Sequence, residues 1–143
     1  MSDPIQTNAL QQAPFFAGLP VEELEAIARV GGTVSFEPGA TIVAEGDPGD
    51  GMYVVLSGTA EVDVGGRFHR LTQGDFFGEM ALISSRKRIA TVKAADRVEA
   101  LKIPADAFRS FLLEHPSVAI SMLQEIVDRL REVEQRVDAW MAN

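Results

Sequence analysis

The chain has 143 residues, 46% of them hydrophobic, with 21 acidic against 13 basic side chains and a formal net charge of -8. That suits one domain with a real core and excludes global disorder, and the acidic balance disfavours a general nucleic-acid surface, whose affinity comes mostly from phosphate contacts. The absence of cysteine excludes disulfides and thiol chemistry, Met1-Ser2-Asp3-Pro4 is unlike a signal peptide, and no apolar run approaches the ~20 residues that span a bilayer, so a cytoplasmic protein with no membrane partner is expected.

Residues 1–12 are polar and weakly patterned, with Ile5 and Leu10 allowing a short helix. Phe15 and Phe16, between Pro14 and Pro20, predict a tight connection anchored in a core. Pro20 suits the first turn of a helix, Glu22 and Glu23 favour its N-terminus, and Leu24, Ile27, Ala28 and Val30 have helical spacing. Gly31-Gly32 is expected to stop that helix, which should cover residues 21–30.

From Thr33 to Pro104 the period changes from 3.6 to 2. Thr33–Phe36, Thr41–Ala44, Met52–Ser57, Thr59–Val64, Arg67–Leu71, Ala90–Ala94 and Val98–Ile103 read as short strands separated by glycine-rich turns. Such spacing predicts a sandwich, barrel or jelly roll. Helix returns at Ala105, with Phe108, Phe111 and Leu112 as its apolar face. His115-Pro116 breaks it, because proline disfavours helix in the residue before it. A longer helix is predicted from about Ser117 to Met141, with Ile120, Leu123, Ile126, Val127, Leu130, Val133, Val137, Trp140 and Met141 as one apolar stripe. By default that stripe packs against the barrel.

The chemistry concentrates at Phe77-Gly78-Glu79-Met80-Ala81-Leu82, followed after five residues by Arg88-Ile89-Ala90-Thr91-Val92. Arg86, Lys87 and Arg88 form a basic knot inside an acidic chain. A short helix starting after Gly78 would point free amides at an anion, and an arginine can grip two phosphate oxygens at once. Glu79 beside a phosphate is unfavourable unless it accepts hydrogen bonds from hydroxyls such as those of ribose. An anion clamp with a hydroxyl acceptor describes a nucleotide or a sugar phosphate. Outside this motif, Arg88 would more simply be a solvated strand-end arginine and Glu79 a complement to the helix dipole. Arg86 and Lys87 read as a solvated loop that raises local potential.

This stretch resembles the phosphate-binding cassette of cyclic nucleotide-binding domains, F-G-E-[LI]-A-L, a spacer, then R-x-A-T-V, without a gap. Glu45-Gly46-Asp47-Pro48-Gly49-Asp50-Gly51-Met52-Tyr53 resembles the family's glycine-rich turn and following strand. The likeness covers roughly residues 14–137. It implies that Glu79 accepts the ribose 2′-hydroxyl and that Arg88 pairs with the cyclic phosphate. The amides of Gly78, Met80 and Ala81, with those of Ile89 and Ala90, would complete the cradle. Lys87 stands where proline is common. Ile89 stands where alanine is frequent in cAMP-selective domains and threonine marks many cGMP-selective ones. Isoleucine offers guanine no hydroxyl, so cAMP is expected over cGMP.

The resemblance implies an α+β fold: an antiparallel β jelly-roll barrel (33–104, cassette 77–92) flanked by N-terminal helices (1–32) and two C-terminal helices (105–143), in one domain spanning 1–143. The last helix would close over the base, with Arg131, Val133 and Glu134 as candidate base-capping residues, or form a homodimer coiled coil. The expected function is a non-catalytic cAMP sensor or regulatory domain whose ligand repositions the C-terminal helices and whose effector is a separate protein. The other reading is a fragment of a cAMP-responsive transcription factor, since no helix-turn-helix follows within this chain. A cupin-like metal enzyme shares such a barrel but needs about three ligands, and His69 and His115 are isolated. No catalytic residue, metal or cofactor is expected.

Overall fold

The structure, a computed structural model, describes residues 4–12, 16–78 and 90–142; of residues 4–6, 125, 126, 129, 133 and 136–142 it describes the backbone alone. Helices α1 (Pro4–Gln12) and α2 (Val21–Val30) come first. Eight strands follow: β1 (Gly32–Phe36), β2 (Thr41–Val43), β3 (Gly51–Ser57), β4 (Ala60–Val64), β5 (Arg67–Leu71), β6 (Phe76–Phe77), β7 (Thr91–Ala94) and β8 (Val98–Pro104). Helices α3 (Ala105–Glu114) and α4 (Pro116–Ala142) close the chain.

The strands form two antiparallel sheets, ordered β1-β8-β3-β6 and β2-β7-β4-β5. This is a jelly-roll arrangement, one of the three the strand pattern allowed and the one the resemblance implied. The central strand β3 of the first sheet is buried on both faces, and its sequence shows why. In β3, Met52, Val54 and Leu56 join Leu10, Phe16, Leu24, Ile27, Phe108 and Phe111 of the helices in one cluster. Tyr53 and Val55 turn the other way, into the barrel, with Val92, Ala94, Val98 and Ala100. A strand covered on both faces reads as a continuous apolar run rather than an alternating one. The second sheet alternates. Val62 and Leu71 pack inward, while its outer face places Glu61 between Lys93 and Arg70 in register. Opposite charges directly across a strand pair are favourable.

The fold differs from expectation in details with local causes. β6 was absent from the seven expected strands; its two residues, paired with Tyr53 and Val54, are too few to show a period. The strand expected from Ala90 begins at Thr91, the one from Thr59 begins at Ala60, and the one expected to reach Ala44 ends at Val43. Pro20 precedes α2 instead of occupying its first turn, and its carbonyl accepts the amides of Glu23 and Leu24 at 3.0 and 3.1 Å. Gly31 ends α2 in extended backbone (φ -95°, ψ -178°), not the left-handed conformation of a glycine stop. It is small because β8 lies against it: a Cβ there would stand 2.6 Å from the Lys102 carbonyl oxygen. Gly32 already belongs to β1.

The break at His115-Pro116 lies where expected. The His115 amide donates to the Phe111 carbonyl at 2.9 Å, and its ring stacks on Phe111 at 4.2 Å. Beyond it the expected stripe divides. The buried side chains of α4 are Val118 and Met122, neither of which was assigned to the stripe. Ile120, Leu123, Val127 and Leu130, which were, are 46–58% exposed. Among the described side chains, α4 therefore packs on the body of the protein through its first two turns. The remaining stripe residues, Ile126, Val133, Val137, Trp140 and Met141, lie outside the described side chains. No helix among the described residues is long and apolar enough to cross a membrane.

Candidate functional site

The two described ends of the cassette lie in different sheets. Phe77 closes β6 in the first sheet, opposite Tyr53, and Thr91 opens β7 in the second, opposite Asp63. Between Gly78 and Ala90 the chain therefore passes from one sheet to the other. Of the expected ligand residues, Gly78 and Ala90 are described and half-buried. Glu79, Met80, Ala81, Arg88 and Ile89 lie outside the described residues, as do Arg86 and Lys87.

The entrance is held from below by aromatic packing. Phe77 is buried and stacks on Tyr53 with ring centroids 5.0 Å apart and planes 10° from parallel. Tyr53 also meets Phe36 edge-on at 6.4 Å. Gly78 then turns the chain with φ 81°, in the left-handed region that favours glycine. At the exit, the Thr91 hydroxyl accepts the Glu45 amide at 3.0 Å. That bond ties the glycine-rich β2–β3 turn to the residue that leaves the cassette. One further cation stands near the entrance. Lys102 Nζ lies 5.7 Å over the Tyr53 ring and 3.2 Å from the Asp50 carboxylate. Burial on its own would lower the Lys102 ammonium; the hydrogen bond to Asp50, with Tyr53 and the Asp50 charge, outweighs it and holds the group above its ordinary 10.5.

Arg131 and Glu134 are exposed on α4, and the Val133 side chain lies outside the described ones. Arg131 borders an open groove on α4 with Ile120, Leu123 and Val127. His69 is exposed on β5 and His115 is spent on Phe111. Among the described residues no group of three His, Cys, Asp or Glu could hold a metal ion.

Two residues carry more than the sequence assigned them. Thr91 belonged to the motif but had no role, and Tyr53 read as cross-strand packing. A hydroxyl at a strand start and a tyrosine inside an otherwise aliphatic strand were the visible signals. Neither signal names the partner, which depends on a turn and a strand more than 20 residues away.

Comparison with known proteins agrees with this geometry. A family model described as the cyclic nucleotide-binding domain matches residues 33–115, from the second residue of β1 to the break before α4. The cAMP-dependent protein kinase regulatory subunit of Aspergillus niger is 35% identical over 106 residues, 72% of this chain and 26% of that protein. The CRP-like cAMP-activated global transcriptional regulator of Mycobacterium tuberculosis (strain CDC 1551 / Oshkosh) is 30% identical over 128 residues, 85% of this chain and 57% of that protein. This chain thus spans about a quarter of the first relative and just over half of the second. Among solved structures, the N-terminal domain of a transcriptional regulator from Streptomyces coelicolor A3(2) superposes with a TM-score of 0.78 at 29% identity, covering 90% of this chain and 94% of that one. The Thermus thermophilus catabolite activator protein gives 0.77 at 27%, covering 90% and 63%. With more than half of its length matched to the family model and its strands in the jelly-roll order, the protein belongs to the cyclic nucleotide-binding domain family.

Proposed function

We propose that this chain is a cAMP-binding regulatory domain that catalyses nothing and shifts its C-terminal helices when ligand binds. The observation that carries the reading is the unbroken cassette motif in the sequence, whose described ends belong to two different sheets, inside the segment that the family model matches. In this reading Arg88 pairs with the cyclic phosphate and Glu79 accepts the ribose 2′-hydroxyl. The amides of Gly78, Met80, Ala81, Ile89 and Ala90 supply the remaining donors. Relatives named for cAMP, together with Ile89, favour cAMP over cGMP. In this reading Arg131, Val133 and Glu134 cap the base when α4 closes over it, which makes the lid role and the helix shift one proposal. A ligand drives such a shift only by binding the two arrangements with different affinity, typically worth ~1–3 kcal/mol.

Residues 1–143 act as one domain in the cytoplasm, with an effector protein as partner and neither nucleic acid nor membrane bound by this chain. The exposed stripe of α4 supports a homodimer through that helix. The match to 57% of a transcriptional regulator keeps a second reading, in which this chain is the sensing part of a cAMP-responsive transcription factor. Titration calorimetry with cAMP and cGMP tests the central claim: saturable heat with cAMP, and weaker binding of cGMP, are expected. No heat and no thermal shift with either at millimolar concentration would sink it.

A further inference from the structure

The cluster around Tyr53 touches both places that the proposed ligand response would connect. On one side it touches the cassette: the Tyr53 ring stacks on Phe77, the residue before Gly78. On the other it reaches the C-terminal helices. Lys102 pairs with Tyr53 in register and lies over its ring, and the Asp50 carboxylate holds Lys102 at 3.2 Å. The carbonyl of the same Asp50 accepts the amide of Ala105, the first residue of α3, at 3.0 Å. The backbone runs in step, since Gly51 faces Pro104 across β3 and β8.

Packing alone does not require this chemistry. Tyr53 is the chain's single tyrosine and is only 5% exposed, in a position where phenylalanine would fill the same volume. Lys102 is a cation on the barrel-facing side of β8, in line with Val98 and Ala100, which are fully buried. A closely packed interior passes a displacement from one stacked ring to the next instead of absorbing it. We propose that Tyr53, Lys102 and Asp50 form a mechanical link that sets the angle of Gly78 at the cassette entrance and carries a change there to the first turn of α3. The link rests on the reading of the cassette as the ligand site.

Amide hydrogen exchange, followed by NMR at Gly78 and Ala105, tests it. The proteins are the full chain and its Tyr53→Leu, Lys102→Met and Val55→Ala variants, with and without cAMP. Val55 is the control, being fully buried on the same interior face of β3 but two residues from the stack. Without ligand, Tyr53→Leu should speed exchange at both amides by about tenfold, the size of one stacked aromatic pair, and Val55→Ala at neither. With cAMP, the wild-type Ala105 amide should change its protection, and Lys102→Met should abolish that response while the variant still binds cAMP saturably. Tyr53→Leu acting no more strongly than Val55→Ala at Ala105, or Lys102→Met keeping the full response, overturns the link. Should Tyr53→Leu fail to fold, Lys102→Met and Asp50→Asn, at side chains that reach solvent, decide it through the same two amides. A wild-type chain that ignores cAMP refutes the ligand assignment, and the ligand-free comparison still judges the link.

Discussion

Gly78→Ala separates the geometry of the cassette entrance from general stability. The backbone there has φ 81°. An L-residue in that region costs ~1–2 kcal/mol, partly offset by about 0.4–1 kcal/mol because alanine restricts the unfolded chain. The net loss is about 1 kcal/mol, and at ~2–4 °C per kcal/mol for a domain of this size the thermal midpoint should fall by a few degrees. Gly39 supplies the comparison, with φ 86° and no atom within 4 Å of the place an added methyl would occupy. It lies in the β1–β2 turn, so Gly39→Ala should cost the same few degrees and leave ligand binding alone. Gly78→Ala adds a second effect. In the proposed cradle the strain is relieved by rotating the peptide that precedes Gly78, which takes its own amide, the first of the cradle, off the phosphate. A hydrogen bond to a charged group contributes about 1.5–3 kcal/mol, so cAMP affinity should fall roughly tenfold to a hundredfold. Melting curves and calorimetry on both variants measure the two effects. Gly78→Ala binding cAMP within about threefold of wild type, beside an equal melting loss in both variants, would refute the reasoning.

Four further outcomes are expected. Arg88→Ala should weaken cAMP binding by about a hundredfold and Lys87→Ala by no more than about threefold, because in the proposed site only the Arg88 guanidinium would make a paired contact; equal losses would indicate a diffuse basic patch. Phe108→Ala, which empties a fully buried site between Phe16 at 6.1 Å and Phe111 at 5.8 Å, should cost ~3–5 kcal/mol in urea unfolding, and a loss below about 1 kcal/mol would mean the helices do not depend on that contact. Lys102 is held above its ordinary 10.5, so its contribution is complete below that pH and disappears as pH rises through the higher folded value. The melting difference between wild type and Lys102→Met should therefore be constant up to about pH 10 and shrink above it, whereas a difference that grows with pH would contradict the assignment. Leu123 and Val127 are 58% and 46% exposed, so replacing both by glutamine should change monomer stability by about 0.5 kcal/mol or less and abolish the proposed homodimer in light scattering; a monomer mass for wild type ends the dimer proposal.

How far the fold was legible depends on what each segment's periodicity encodes. The helix over Val21–Val30 and strands such as Ala60–Val64, with its alternating Ala-Glu-Val-Asp-Val, were visible because each repeats its pattern several times. β6 was invisible because two residues define no repeat, although Phe76-Phe77 is what seats the cassette on the first sheet. Gly31 shows a subtler failure. Glycine after a helix normally signals a left-handed stop, yet here it admits the Lys102 carbonyl, a contact formed 71 residues away. Local rules read a glycine as a turn because nothing local distinguishes a turn from a close approach.

The site was legible as chemistry before it was legible as geometry. The order glycine, acid and, nine residues after the acid, arginine needs no coordinates to suggest an anion and a hydroxyl. Its supports are another matter: Tyr53, Thr91, Asp50 and Lys102 act across 24 to 52 residues of sequence and are fixed only by register. The long helix marks the same boundary. Its spacing announces an apolar stripe, but periodicity reports that a face is apolar, not what covers it. The structure places Val118 and Met122 against the helical core and leaves Leu123, Val127 and Leu130 facing outward. An outward apolar face on the helix expected to move is most economically explained by a second position in which it is covered. In a dimer a second copy covers it; in a lid it turns toward the base. The Leu123/Val127 double variant discriminates them, since the dimer reading requires lost association at unchanged cAMP affinity, and the lid reading requires weakened cAMP affinity at unchanged mass.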